Sequence, residues 1–235
     1  MNVLAIDTSN YALGIAIIND KKVIGEYITN MKKNHSIRVM PAIQRLLEDC
    51  DLSPMDLDKI VVAHGPGSYT GVRIGVTIAK TLAWTLKIPL VGVSSLEILA
   101  ADHLFFPGII CPLFDARRSQ VFTGIYRYED GRLNLILGDQ LLLLPDLLNE
   151  LKKRNECVLF VGNDVELHQE RIVEELGEKA NFAPFTHQNP RPSLLAKIGL
   201  DQKGVTGDAL HAFVPHYLRL AEAEAKWREA RKNDE

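Results

Sequence analysis

Long apolar runs are missing from this chain: no stretch approaches the roughly 18 residues that crossing a membrane takes, and the N-terminus opens at once on Val3-Leu4-Ala5-Ile6, with no basic-then-apolar leader. The expectation is a cytoplasmic protein with no membrane role. Cysteine is scarce as well. Cys50, Cys111 and Cys157 are odd in number, widely spaced and set in apolar or helical surroundings, so a disulfide framework is not expected and the thiols read as reduced. Charge of one sign is absent, because 27 Lys and Arg stand against 30 Asp and Glu, a formal net of −3. Such a balance has no footprint for holding a polyphosphate chain unaided, so any nucleic-acid role has to lean on a partner.

Phosphate-binding loops are missing too. The stretch from Ala63 to Lys80 reads AHGPGSYTGVRIGVTIAK, but Gly71 is followed by Val72 where a P-loop needs lysine, and the next lysine is Lys80. The dinucleotide pattern also fails, since Thr70 stands where a third glycine would follow Gly65 and Gly67. The glycines must serve backbone geometry or close approach instead.

What is present is an ordered repeat. VLAID, ALGIAII and KVIGEYI read as three strands with an Asn19-Asp20 turn, followed by a helix over Ile37 to Leu47, the strand KIVVA, the glycine turn, a helix from about Thr70 and the strand PLVGV. About 108 residues later the order returns as CPLFDA, QVFTGIYRY, a Glu129-Asp130-Gly131 turn, LNLILG, a helix near Leu144 to Lys153, CVLFVG, a helix near Val165 to Leu176, and NFAPF. Asp7 and Asp115 then end equivalent first strands. The expected fold is α/β with two ribonuclease-H-like lobes, one over 1–106 and one over 107–220. The segment Ser94 to Phe106 would bridge them, and a charged tail would follow at 221–235.

The helix after the glycine turn is expected to start with Ser68 or Thr70 as its cap. At 100° per residue Gly71, Gly75, Ala79 and Ala83 line up as a small-residue ribbon, flanked by Val72, Val76, Ile74, Ile78, Leu82 and Leu86. This apolar arc spans roughly 200°, wider than the ~100° stripe of a helix with one buried side. Two bodies are therefore expected to cover it: its own sheet, and either another part of the chain or a second subunit approaching over the glycines and alanines.

VLAIDTS, AHGPGSYTGVRIGVTIAKTLAW, VGVSSLEILA, DARRSQVFTGIY and VPHYLR resemble, in order and spacing, the bacterial TsaB (YeaZ) family over essentially the whole chain. The resemblance implies the two-lobed actin-like ATPase (ASKHA) architecture. It also implies a non-catalytic subunit that pairs with its paralogue TsaD and, with the ATPase TsaE, supports threonylcarbamoyl transfer to the adenosine beside the anticodon of tRNAs reading codons that begin with A. On that footing the partner interface is expected at Ser68, Tyr69, Gly71, Val72, Gly75, Val76, Ala79 and Ala83, with a homodimer when the partner is absent and tRNA reached only through the complex.

The metal-ligating His-x-x-x-His pair of the catalytic paralogue falls here on Ser95 and Leu99, and the seven histidines contain no i, i+4 pair. No metal is expected. Actin-like ATPases place glycine-bearing turns after the first strand of each lobe, whereas the turns here read DTSN and DARR. Asp7, Thr8, Ser9, Asp115 and Gly162 are thus expected to be remnants of a nucleotide site, with ATP confined to the partner complex. A sugar-kinase-like phosphotransferase and a metallopeptidase remain the alternatives, together with a serine nucleophile at Ser68, Ser94 or Ser95 served by His64.

Overall fold

A computed structural model describes residues 1–31 and 34–219. Three strands open the chain, β1 (Val3–Asp7), β2 (Ala12–Ile18) and β3 (Val23–Asn30). They are followed by α1 (Val39–Asp49), β4 (Lys59–Ala63), α2 (Tyr69–Leu86) and β5 (Leu90–Val93). The first sheet runs β3-β2-β1-β4-β5, with β1 antiparallel to β2 and parallel to β4. Asn19 makes the β2–β3 turn by accepting the amides of Lys21 and Lys22 on Oδ1, both at 2.9 Å. After α3 (Ser95–Ala101) the pattern repeats with β6 (Ile109–Asp115), β7 (Gln120–Glu129), β8 (Arg132–Leu143), α4 (Leu144–Arg154), β9 (Val158–Val161), α5 (Gln169–Leu176) and β10 (Ala180–Phe182). Its sheet runs β10-β9-β6-β7-β8, the same order with the same directions. The β7–β8 turn uses Asp130 and Gly131 at φ 51° and 73°, the left-handed pair a two-residue hairpin needs.

Strands β1, β2 and β4 are buried along their whole length, so both faces of the first sheet are covered. Leu4, Ile6 and Val62 face α1 and α2, while Val3, Ala5 and Val61 face α6 (Pro192–Leu200). One helix crosses the expected boundary at 106/107. The α6 helix, although it follows the second sheet in sequence, packs on the first through Leu195, Ala196 and Leu200. Its approach is close enough that a Cβ on Gly199 would lie 2.5 Å from a Val61 methyl. In return α3 packs Leu96, Leu99 and Ala100 against Ile110, Phe114 and Tyr126 of the second sheet. Each lobe's second layer therefore comes largely from the other half of the chain, with α3 also placing Ile98 beside α6 on the first sheet.

Lys59, only 6% exposed, pins α6 by donating from Nζ to the carbonyls of Leu200 at 2.5 Å, Gln202 at 2.7 Å and Gly199 at 3.3 Å. Beyond α6, Val205 and Leu90 exchange two backbone hydrogen bonds. A strap that begins with α7 (Ala209–Ala212) then runs along α2. Lys80 of α2 donates to the carbonyls of His211 and Phe213, and Trp84 meets the His211 ring at 4.6 Å. All three cysteines are free, and burial pushes the Cys111 thiol up to about 12. The expected tail at 221–235 lies outside the described residues.

Candidate functional site

The turn after β1 is locked by its own side chains. Asp7 Oδ1 accepts from the amide and hydroxyl of Ser9 at 2.8 and 2.7 Å, and Thr8 Oγ1 donates to the Gly71 carbonyl at 2.7 Å. Onto this turn comes the glycine loop, held by Ser68 N donating to Ser9 O at 2.7 Å. Ser68 then caps α2 by accepting the Gly71 amide, while Thr70 lies within the helix. A Cβ on Gly67 would stand 2.2 Å from Ser9 O, one on Gly71 would stand 2.2 Å from Thr8 O, and one on Gly75 would stand 2.5 Å from Thr8 Oγ1. The glycines thus serve backbone-to-backbone packing inside the chain. Thr8 and Ser9 are fully buried beneath them, and Asp7 is 2% exposed with Oδ2 unpartnered. Burial raises the Asp7 carboxyl's pKa, against the lowering effect of its Ser9 hydrogen bonds.

This packing turns most of the residues expected at the interface into the chain's own core. Gly71, Val72, Gly75, Val76, Ala79 and Ala83 are all buried within the chain, and Val72, Val76, Ala79 and Ala83 join the main core cluster with Leu4, Ile6 and Val62. The second body over the ribbon is the β1 turn itself. Of the eight residues only Ser68 and Tyr69 are exposed. The open side of α2 is a different one: Tyr69, Thr70, Arg73, Ile74, Thr77 and Ile78, with Ser36, line a shallow groove of about 460 Å³.

In the second lobe Asp115 N donates to Asp164 Oδ2 at 3.0 Å, and Asp115 Oδ1 pairs with His168 Nε2 at 3.2 Å. Burial raises the pKa of Asp164, and the neighbouring Asp115 charge adds to the shift. The DARR turn lacks glycine, yet Arg117, Arg118 and Ser119 all take left-handed φ of 63°, 56° and 57°, at roughly 1–2 kcal/mol each. Arg219 from the strap braces this turn, donating to Ala116 O and Gln120 Oε1, both at 2.8 Å. Gly162 is also consumed internally: its φ is +124°, a Cβ would meet Leu113 O at 2.4 Å, and its amide donates to Gln188 Oε1 at 2.7 Å.

Between the lobes lies a cleft of about 970 Å³. Ser68, Tyr69, Gly71, Val72 and Asp115 border it, joined by Asn10, Tyr11, His35, Phe122, Arg117, Asp164, His216, Tyr217 and Arg219. Asp7, Thr8, Ser9 and Gly162 do not. The residues present do not fit a triphosphate: the glycine loop fills the space over Thr8 and Ser9, the Ser9 amide is spent on Asp7 Oδ1, and Asp115 and Asp164 put two carboxylates on the wall. His216, Tyr217 and Arg219 reach the cleft by a route no periodicity signals. They belong to the strap, anchored by His216 N donating to His64 O at 2.7 Å.

Ser95 and Leu99 are 0% and 1% exposed in the lobe junction, and no three His, Cys, Asp or Glu among the described residues are grouped to hold a metal ion. Ser94 Oγ donates to Asp139, and the His64 ring is taken up at Nδ1 by the Val93 carbonyl at 2.8 Å. Burial lowers the His64 pKa.

The chain is 56% identical over 232 residues, 99% of its own length and 100% of the relative's, to the tRNA threonylcarbamoyladenosine biosynthesis protein TsaB of Bacillus subtilis. It belongs to the TsaB family. It also falls within the wider family described as TsaD, tRNA N6-adenosine threonylcarbamoyltransferase, whose model matches residues 22–227. The TsaB assignment agrees with the fold. YeaZ from Pseudomonas aeruginosa superposes with a TM-score of 0.73 at 23% identity, covering 92% of this chain and 99% of that one. An ROK hexokinase from Thermus thermophilus reaches 0.51 at 13% identity, covering 86% of this chain and 100% of that one, a likeness of fold. No helix among the described residues is long and apolar enough to cross a membrane.

Proposed function

We propose that this chain is a cytoplasmic, non-catalytic subunit that dimerises with a TsaD-type transferase. In that role it supports threonylcarbamoyl transfer to the adenosine next to the anticodon of tRNAs reading ANN codons, with a TsaE-type ATPase in the same complex. The observation that carries the non-catalytic reading is the glycine loop seated directly on the carbonyls of Thr8 and Ser9, which fills the space in front of that turn, while the Ser9 amide is spent on Asp7 Oδ1 at 2.8 Å. The chain alone accordingly binds neither ATP nor metal, and ATP is held by the assembled complex.

The docking face is the open flank of α2, where half-buried Ile74 and Ile78 lie between exposed Arg73 and Thr77. Without the partner, the same flank pairs two copies of the chain as an isologous dimer. Thr77→Trp tests the face directly. An exposed substitution of this kind shifts stability by about 0.5 kcal/mol or less, so unfolding should be unchanged while retention on an immobilised TsaD-type partner falls at least about tenfold, or ~1.4 kcal/mol. Undiminished retention would move the interface off this flank.

A further inference from the structure

The cleft keeps features that a docking subunit does not need. Tyr11, Tyr69 and Tyr217 border it at 49%, 46% and 44% exposure. The Tyr69 and Tyr217 rings stack at 5.2 Å, and the Arg73 guanidinium sits 5.2 Å from the Tyr69 ring centre while donating to the Tyr69 hydroxyl. Phe122 lies in the wall. Arg117 borders the same space from the second lobe, exposed and held by the left-handed turn that Arg219 braces. Aromatic faces with guanidinium groups beside them are the chemistry that binds unstacked bases, because every base offers a π-face and each phosphate a charge partner.

The rest of the cleft limits what such a ligand can be. Asp115 and Asp164 carry carboxylates on the wall of the second lobe and repel phosphate. Together with the sealed β1 turn they exclude a polyphosphate chain, leaving room for a base with one phosphate at the rim.

We propose that the cleft takes one unstacked nucleotide of a single-stranded RNA, its base against Tyr11 and the Tyr69–Tyr217 pair and its phosphate at Arg117. The source of the strand, a tRNA loop presented within the complex, rests on the function proposed above. A free mononucleotide offers the same chemistry, so the test separates the two.

A fluorescein-labelled single-stranded heptamer of adenylate is titrated into the complete chain at low salt and followed by anisotropy. The same strand in a duplex and unlabelled ATP or AMP as competitors form the other arms. The heptamer should bind at least tenfold tighter than the duplex, and neither mononucleotide should displace it at concentrations tenfold above its own. Tyr11→Ala should weaken the heptamer about five- to 150-fold, the range one base–aromatic stack provides. Arg117→Asn, a residue that tolerates the left-handed turn, should flatten the dependence of log affinity on log salt by about 0.7, one single-strand phosphate's share. Thermal unfolding of both variants checks that the fold is intact.

Equal affinity for duplex and single strand, displacement by ATP or AMP, or unchanged binding by folded Tyr11→Ala would each overturn the proposal. The TsaD-type partner is assayed separately with the same preparation. Loss of RNA binding with normal partner binding removes this inference alone, and loss of partner binding removes the function proposed above.

Discussion

Replacing Gly75 by leucine decides whether the small-residue ribbon of α2 belongs to the core or to an interface. Its Cβ would stand 2.5 Å from Thr8 Oγ1, the hydroxyl that donates to Gly71 O at 2.7 Å, with a Val62 methyl at 3.6 Å behind it. Overpacking costs about 1–3 kcal/mol. Displacing Thr8 leaves its buried hydroxyl without the Gly71 carbonyl as acceptor, about 1–3 kcal/mol more. Leucine returns about 0.8 kcal/mol of helix propensity. The net loss is about 1–5 kcal/mol, a fall of roughly 3–20 °C in Tm for a domain of this size. The assay pairs thermal unfolding of the variant alone with its retention on an immobilised TsaD-type partner at a temperature where it stays folded. A large drop in Tm with retained binding is expected. An unchanged Tm with binding abolished would refute the packing argument and restore the ribbon as the contact surface.

Lys59→Met keeps the stem but removes the three hydrogen bonds that hold the end of α6, so it should lower stability by about 1–3 kcal/mol, read as the denaturation midpoint; an unchanged midpoint would mean water satisfies those carbonyls. Glu97 has a raised pKa, chiefly from burial and secondarily from Asp139. Its folded pKa lies above the unfolded one, so its favourable contribution is complete below the unfolded value and disappears as pH rises through the folded value. Glu97→Gln should therefore unfold at higher temperature than the parent at pH 7, with the gap closing toward pH 4, and a gap that widens on acidification would contradict the sign.

Much of the lobe plan was legible before any coordinates, because strand and turn chemistry is local. Lys59–Ala63 is apolar between turn signals, Asn19-Asp20 and Asp130-Gly131 carry their own turn preferences, and the two first strands end on the matched Asp7 and Asp115. Less legible was which of the bodies left open would meet which face. A ribbon of glycine and alanine reads the same whether it faces a partner helix or the turn after β1, since small size reports only a close approach. PSLLAKIGL is too short and too uniformly apolar to say that it will cross back onto the first sheet. The left-handed run at Arg117–Ser119 hid behind residues that disfavour that conformation, and it stands because Arg219, a hundred residues on, holds the flanking backbone.

The same glycine loop accounts for both the loss and the retention seen at the cleft. Gly67, Gly71 and Gly75 bring α2 down onto Thr8 and Ser9 until backbone meets backbone, and that contact fills the space a phosphate would need in front of the turn. Lowering the helix start also sets Tyr69 at the cleft, where Tyr217 stacks on it and Arg73, one turn along the helix, covers it. A cleft closed to polyphosphate and an aromatic rim exposed to a single base are thus two results of one packing decision. Substituting any of the three glycines should disturb both together, whereas Tyr11 and Arg117, which lie outside that contact, should change base binding without touching the turn.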